Sequence, residues 1–277
     1  MTESYEVDGA RLTYAESGAE LPVVFLHPTP LDHSYWEPLI AELGGLRAIV
    51  PDLRGHGSSE LGEGLPVGEF ASTPDAPVLS VGRLALDVLK LLEHLEVATA
   101  VFVGCSIGGY VLLELWRRAP ERMKGLGFVC SKAQADTEAG LEKRAANIAL
   151  LRAEGTAGLF DGMARSLIGA TAQKRRPGIL EELRALMTLT PEAAIAVQAG
   201  LAMRPDSLPT VKTIGVPVLA IAGGEDGGAT AAEMELFREA PGQCEFHLIA
   251  DAGHFAAYEQ PETVARLMRD WLGQFKD

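Results

Sequence analysis

Gly104-Cys105-Ser106-Ile107-Gly108 sets a serine between glycines two residues away on either side. A serine on a sharp strand-to-helix turn sits in strained backbone geometry, and the strand and helix pass so close there that flanking side chains would collide. Such a serine becomes a useful nucleophile toward an acyl carbon once a base takes its proton. Six histidines compete for that task. His94 lies in a helical pattern and reads as a surface residue, and His247 lies within a strand-like run and reads as structural. His27, His33 and His56 fall early in the chain. His254 follows Gly253 in a loop just before the final helical segment, and the chain order serine, acid, histidine is the one expected on a sheet of this topology.

A carboxylate must orient that base and stabilise its imidazolium. Asp226 follows Ile221-Ala222-Gly223-Gly224-Glu225 at the end of a strand-like run, and ligands of parallel sheets meet the carboxyl ends of strands. Glu225 is the neighbouring competitor. Side chains alternate direction, so only one of the two is expected to face His254, and Asp226 is favoured. Asp251 reads as a turn residue. The tetrahedral intermediate of acyl transfer also needs N–H donors. One is expected from Ile107, the residue after the nucleophile, and the other from the loop His27-Pro28-Thr29-Pro30. Prolines have no N–H, so Thr29 is the only donor among 28–30, and its neighbours stiffen it.

Short β-type runs alternate with helical patterns, which predicts strand–helix–strand units around a mostly parallel sheet. Tyr5-Glu6-Val7 and Arg11-Leu12-Thr13-Tyr14 form an opening hairpin through Asp8-Gly9. Val23–His27, Arg47–Val50, Ala100–Val103, Leu126–Cys130, Pro217–Ala222 and Glu245–Ile249 read as strands. Ser80 caps a helix rich in leucine. The helix after Ser106 runs until Pro120 stops it, Thr230–Ala240 is a further helix, and Pro261–Phe275 closes the chain. From about Lys132 to Leu208 the strand signal vanishes, and Leu141–Leu151, Leu180–Leu189 and Pro191–Met203 read as helices. This block, 132–208, is expected to be a helical cap inserted into one core domain, 1–131 and 209–277. Ser58–Pro77, rich in Gly, Pro, Ser and acidic residues, is a loop, long for a compact domain.

Thirty-eight acidic against twenty-four basic side chains give a net charge of −14. That balance argues against nucleic acid and anionic membrane surfaces as partners. The apolar fraction, 47%, is too high for a disordered acidic chain. Cys105, Cys130 and Cys244 show no CxxC spacing, so neither a disulfide framework nor a metal site is expected, and a reducing, cytoplasmic setting follows. Met1–Glu6 has neither the basic nor the apolar region of a signal peptide.

Leu26–His33 with Trp36, Asp52–Ser59, Gly104–Gly109, Gly223–Asp226 and Ala252–Phe255 leading to Glu259–Glu262 together resemble the α/β-hydrolase superfamily, over nearly the whole chain. The resemblance is to the esterase and 3-oxoadipate enol-lactonase-like branch, which also includes cofactor-free haloperoxidases. It implies an eight-stranded, mostly parallel sheet flanked by helices with an inserted cap. It also implies a triad of Ser106, Asp226 and His254, an oxyanion hole of Thr29 and Ile107, and no metal or organic cofactor. The family usually carries glycine at the position of Pro28 and often methionine at that of Ile107; neither difference removes a donor. A serine at the turn argues against the haloalkane dehalogenase and epoxide hydrolase branches, which use aspartate there. The expected activity is hydrolysis of a small-molecule carboxylic ester or lactone through an acyl-enzyme. Alternatives are a dedicated enol-lactonase, perhydrolysis or carbon–carbon cleavage on the same scaffold, and a ligand receptor without turnover. Trp36, Tyr35, Lys132, Phe160, Met163 and Phe255 are candidate pocket residues. Lys132 and the cap's Lys143, Arg144, Lys174, Arg175 and Arg176 could draw in an anionic ester, although a solvated basic face is the plainer reading.

Overall fold

The computed structural model describes residues 2–62 and 78–275. Most of the predicted long loop, with Glu63, Glu69 and Asp75, lies outside the described residues. The chain opens with β1 (Thr2–Val7) and β2 (Ala10–Ser17). Asp8 and Gly9 between them both have positive φ, 46° and 73°, as a two-residue hairpin turn matched to strand twist requires. Then come β3 (Pro22–Leu26), α1 (Glu37–Leu43), β4 (Arg47–Pro51), α2 (Val81–His94), β5 (Ala100–Cys105), α3 (Ile107–Arg118) and β6 (Met123–Val129).

These strands join β7 (Val218–Gly223) and β8 (Cys244–Ile249) in one eight-stranded sheet of order β1-β2-β4-β3-β5-β6-β7-β8. β2 pairs antiparallel with both β1 and β4, and every pairing from β4 to β8 is parallel. All six residues of β5 and of β7 are buried, the continuous apolar run expected of a parallel strand covered on both faces. The helices follow from the same logic. Ser80 caps α2 by accepting the Arg83 N–H at 3.1 Å. The closing helix α12 is preceded by α10 (Ala231–Glu235) and α11 (Ala256–Glu259) and spans Pro261–Leu272. It buries Val264, Ala265, Met268, Trp271 and Leu272 at three- and four-residue spacing. Each large side chain buried in this way is worth about 1.5–3 kcal/mol.

Between β6 and β7 the chain forms α4 (Glu138–Glu154), α5 (Ala157–Leu167), α6 (Ala170–Arg175), α7 (Ile179–Ala185), α8 (Pro191–Ala202) and α9 (Leu208–Val211). Helix α4 packs along α8, and α5 packs against α4 and α7. Helix α9 returns to the sheet layer and packs on α3. No helix among the described residues is long and apolar enough to cross a membrane.

Candidate active site

Ser106 sits between β5 and α3 with φ 52° and ψ −115°. Non-glycine residues rarely hold a positive φ, and such strain gathers at functional sites. The glycines around it are steric necessities. A Cβ on Gly104 would lie 2.4 Å from the Gly108 carbonyl carbon, and one on Gly108 would lie 2.2 Å from the Leu26 carbonyl oxygen. Both clashes are with backbone, so no side-chain adjustment relieves them. The Ser106 N–H donates to the Val129 carbonyl at 3.1 Å, and the Ser131 hydroxyl donates to the Ser106 carbonyl at 2.9 Å. The turn is thus tied to β6 on both sides.

His254 lies in the loop after β8. Its Nδ1 stands 2.8 Å from Asp226 Oδ2, with both side chains buried. An ionised carboxylate only accepts, so Nδ1, the His254 nitrogen facing it, is the donor. The other oxygen of Asp226 accepts the N–H groups of Gly228 at 2.7 Å and Ala229 at 3.1 Å. Glu225 turns the other way. It accepts the Thr171 N–H at 2.8 Å and also the Thr171 hydroxyl, tying the start of α6 to the end of β7. Both carboxylates lie in the turn beyond Gly223, the last residue of β7, and that turn sends them apart: Asp226 toward His254 and Glu225 toward the helical insertion.

The insertion is fastened to the histidine loop as well. The His254 N–H donates to the Leu167 carbonyl at 2.7 Å. Glu259 accepts from Gly169 at 3.1 Å, Gly253 at 2.8 Å and Phe255 at 3.1 Å. Burial raises the Glu259 pKa, and these three N–H donors pull against it.

Ser106, His254 and Thr29 line one cavity of about 480 Å³, within the range of small-molecule sites. Its far wall belongs to the insertion: Leu159, Met163, Ser166 and Leu167 from α5, Gly140, Lys143, Arg144, Asn147 and Leu150 from α4, and Gln198 and Leu201 from α8. Ile107, the first residue of α3, is 1% exposed. Its N–H is among the first four of that helix, which have no intrahelical acceptor.

Of the candidate pocket side chains, Lys132 and Met163 line the cavity. Four do not. Trp36 and Tyr35 are fully buried, Trp36 with its ring 5.4 Å from that of Phe25 and 4.8 Å from that of Tyr35. The short turn His33–Trp36 is capped by Asp32, which accepts the Ser34 N–H at 3.0 Å, and both rings sit in the core. Tyr35 donates its hydroxyl to Cys105 Sγ at 3.3 Å. Phe160 is buried on the side of α5 where the Arg184 guanidinium covers its ring at 5.6 Å. Phe255 is fully buried, with its ring 5.6 Å from the His254 imidazole and 6.1 Å from Tyr35.

The basic residues of the insertion are mostly engaged. Lys132 Nζ is 3.2 Å from Glu233. Arg144 holds Asp136 at 3.0 Å and Gln198 at 3.1 Å, and Arg175 and Arg176 pair with Asp251 and Glu182. Tyr110, Asn147 and Gln198 are among the cavity residues not named from sequence. Tyr110 had a signal, since it stands four residues after Ser106 and shares its helix face. Gln198 had one too, as a lone polar residue inside the apolar run Ala193–Leu201.

One acidic cluster outside the cavity, Asp32, His33 and Asp52, brings ligand-type atoms within 4.8 Å of one another. Asp52 is already committed there. It accepts from the His33 N–H at 2.9 Å, His33 Nδ1 at 2.7 Å, the Thr13 hydroxyl at 2.9 Å and the Ser58 N–H at 3.1 Å. It is a junction joining the hairpin to two loops.

The alpha/beta hydrolase family matches this chain over residues 23–267. The 3-oxoadipate enol-lactonase 1 of Acinetobacter baylyi is 27% identical over 251 residues, covering 90% of this chain and 88% of that protein. Among solved structures, a thermophilic esterase from Thermogutta terrifontis is similar with a TM-score of 0.88 and 31% identity, over 99% of this chain and 97% of that one. The enol-lactonase from Burkholderia xenovorans is similar with a TM-score of 0.86 and 25% identity, over 98% and 100% of the two chains.

Proposed function

The chain belongs to the alpha/beta hydrolase family, and from that premise we propose a serine carboxylesterase that cleaves small-molecule esters or lactones through an acyl-enzyme. The observation that carries the reading is the His254 Nδ1–Asp226 contact of 2.8 Å at the same cavity as the strained Ser106.

In this cycle His254 Nε2 takes the Ser106 proton as Oγ attacks the acyl carbon. Asp226 keeps the imidazole in the required tautomer and stabilises its protonated form. The oxyanion forms between the N–H groups of Thr29 and Ile107. Collapse expels the alcohol, which receives the proton from His254. Water then attacks the acyl-enzyme with His254 again as base, and the acid and free Ser106 result. Every proton moved belongs to serine, histidine, water or the leaving group, so the cycle balances without a cofactor.

Residues 132–208 act as a cap over 1–131 and 209–277, supplying the apolar wall of α5 and the polar wall of α4 and α8. Lys132 and Met163 contribute to substrate binding. A cytoplasmic setting belongs to the same proposal and is supported by three free thiols, Cys105, Cys130 and Cys244. A dedicated enol-lactonase is the second reading, favoured by the relatives of that name.

Labelling with a fluorophosphonate, run beside Ser106→Ala, tests the nucleophile. Loss of label in the variant supports the assignment, and label that survives overturns it. A panel of p-nitrophenyl esters, aliphatic lactones and an enol-lactone separates the two activities. Turnover confined to the enol-lactone would replace the esterase reading with the second.

A further inference from the structure

Two buried imidazoles beneath the Thr29 loop have no part in the proposed cycle. His27 and His56 are 0% exposed, with ring centroids 5.0 Å apart. Burial holds the His56 pKa down at about 3 and lowers that of His27. Both rings are therefore neutral near pH 7, each with one donor and one acceptor nitrogen.

Their partners fix which nitrogen is which. The Leu53 N–H donates to His27 Nε2 at 2.9 Å. The His27 proton is then on Nδ1, which donates to the Pro28 carbonyl at 3.0 Å. The Arg54 carbonyl can only accept, so His56 donates to it from Nδ1, also at 3.0 Å. His56 Nε2 is left as an acceptor, and the Thr29 hydroxyl donates to it at 3.0 Å.

These bonds converge on one peptide unit. The Pro28 carbonyl accepts from His27 Nδ1 and from the Leu31 N–H, each at 3.0 Å. That carbonyl and the Thr29 N–H belong to the same planar trans unit and point in opposite directions. Pinning the carbonyl therefore aims the N–H. The hydroxyl bond to His56 pins the same residue through its side chain.

We propose that His56 is a positioning residue for the oxyanion donor, accepting the Thr29 hydroxyl proton and so holding the Thr29 N–H at the tetrahedral intermediate. The inference rests on the reading of Ser106 as nucleophile and Thr29 as donor. It accounts for the identity of residue 29. A backbone donor needs no particular side chain, whereas a buried acceptor nitrogen on His56 needs a hydroxyl, because leaving it unpaired is costly.

Thr29→Val keeps the backbone N–H and the side-chain shape and removes only the hydroxyl. His56→Phe keeps a ring against His27 and removes the acceptor. His56→Gln returns an acceptor oxygen near the place of Nε2. For each folded variant, checked by its melting temperature, kcat and KM are measured with p-nitrophenyl acetate. The Ki of a trifluoromethyl ketone, whose serine adduct carries an oxyanion, is measured alongside.

Thr29→Val and His56→Phe are each expected to lower kcat roughly tenfold with KM within about twofold, and to raise Ki by the same factor as kcat falls. The double variant is expected to be no slower than the slower single one, because both remove one interaction. His56→Gln is expected to recover part of the loss.

A folded Thr29→Val with kcat within about twofold of wild type overturns the proposal, as do losses confined to KM or losses that multiply in the double variant. Wild-type protein that neither labels at Ser106 nor turns over esters overturns the functional reading and this inference together. A labelled, active wild type with unaffected variants overturns this inference alone.

Discussion

Replacing Asp226 by asparagine changes one oxygen to an NH2 group, and the structure dictates which one. Asp226 Oδ1 accepts two backbone N–H groups, from Gly228 at 2.7 Å and Ala229 at 3.1 Å. An NH2 there would face two donors, so the amide oxygen must stay and the NH2 must take the place of Oδ2, toward His254 Nδ1. The imidazole then accepts at Nδ1 and carries its proton on Nε2, the nitrogen that takes the serine proton in the proposed cycle. Wrong-tautomer variants of such triads lose about 10⁴ in kcat, or about 5.5 kcal/mol of barrier. The assay is p-nitrophenyl acetate turnover under saturating substrate, with urea unfolding as the control for folding. Stability is expected to fall by no more than about 1 kcal/mol, since the two backbone bonds survive. An Asp226→Asn protein that is folded and turns over within about tenfold of wild type would refute the tautomer argument and the assignment of Asp226.

Glu225→Gln removes the charged acceptor at Thr171 and is expected to cost about 1–2 kcal/mol in urea unfolding with kcat within about threefold of wild type. A loss of several orders of magnitude would instead transfer the acid role to Glu225. Gly108→Ala forces a Cβ to 2.2 Å from the Leu26 carbonyl oxygen and is expected to destabilise by about 3 kcal/mol or more. A soluble variant within about 1 kcal/mol of wild type would mean that strand and helix are not in contact there. Burial pushes the Asp52 carboxyl up, but its hydrogen bonds from His33 outweigh this and hold its pKa at about 2. A carboxylate depressed in the folded state contributes stability above its unfolded pKa and loses it as pH falls through the folded value. Roughly 2 kcal/mol should therefore vanish between about pH 4 and pH 2, and Asp52→Asn should lack that loss. His56 has the same sign of slope in a higher window. The unfolded chain takes up a proton below about pH 6.5 that the folded ring refuses until about pH 3. Urea unfolding across this range should show stability falling with pH, less steeply in His56→Gln, and an equal slope in that variant would count against the buried neutral imidazole.

The sequence was most legible where backbone geometry demands a particular residue. Glycines at 104 and 108 follow from clashes with the main chain, the first within the turn itself and the second with the Leu26 carbonyl of β3. Strand alternation favours Asp226 over Glu225, but β7 ends at Gly223, and the turn after it is what sends the two carboxylates apart. The helical block was legible because a β signal disappears and returns. Direction within a loop was not. Tyr35 and Trp36 follow the Thr29 loop directly, yet one short turn aims both rings into the core. Phe160 and Met163 both lie on α5, but only Met163 reaches the cavity, and that choice depends on where α4, α7 and α8 sit. Glu259 was visible only as part of a motif. Its service to three N–H groups from two segments can be seen only once Leu167–Thr171 lies beside Gly253.

That junction bears on how such an enzyme can exchange parts. A Cβ on Gly253 would fall 2.3 Å from the Gly169 nitrogen and 2.5 Å from the Leu167 oxygen, so the glycine before the histidine exists because the insertion's main chain runs against it. The stretch 167–171 thus travels with the histidine, although it is encoded more than eighty residues earlier. A chimera grafting foreign helices at the outer ends of the insertion would replace that stretch and leave the His254 N–H without its acceptor and Glu259 without one of its three donors. Grafts confined to α4, the first part of α5, α7 and α8 would redraw the cavity wall while leaving His254 on its own scaffold.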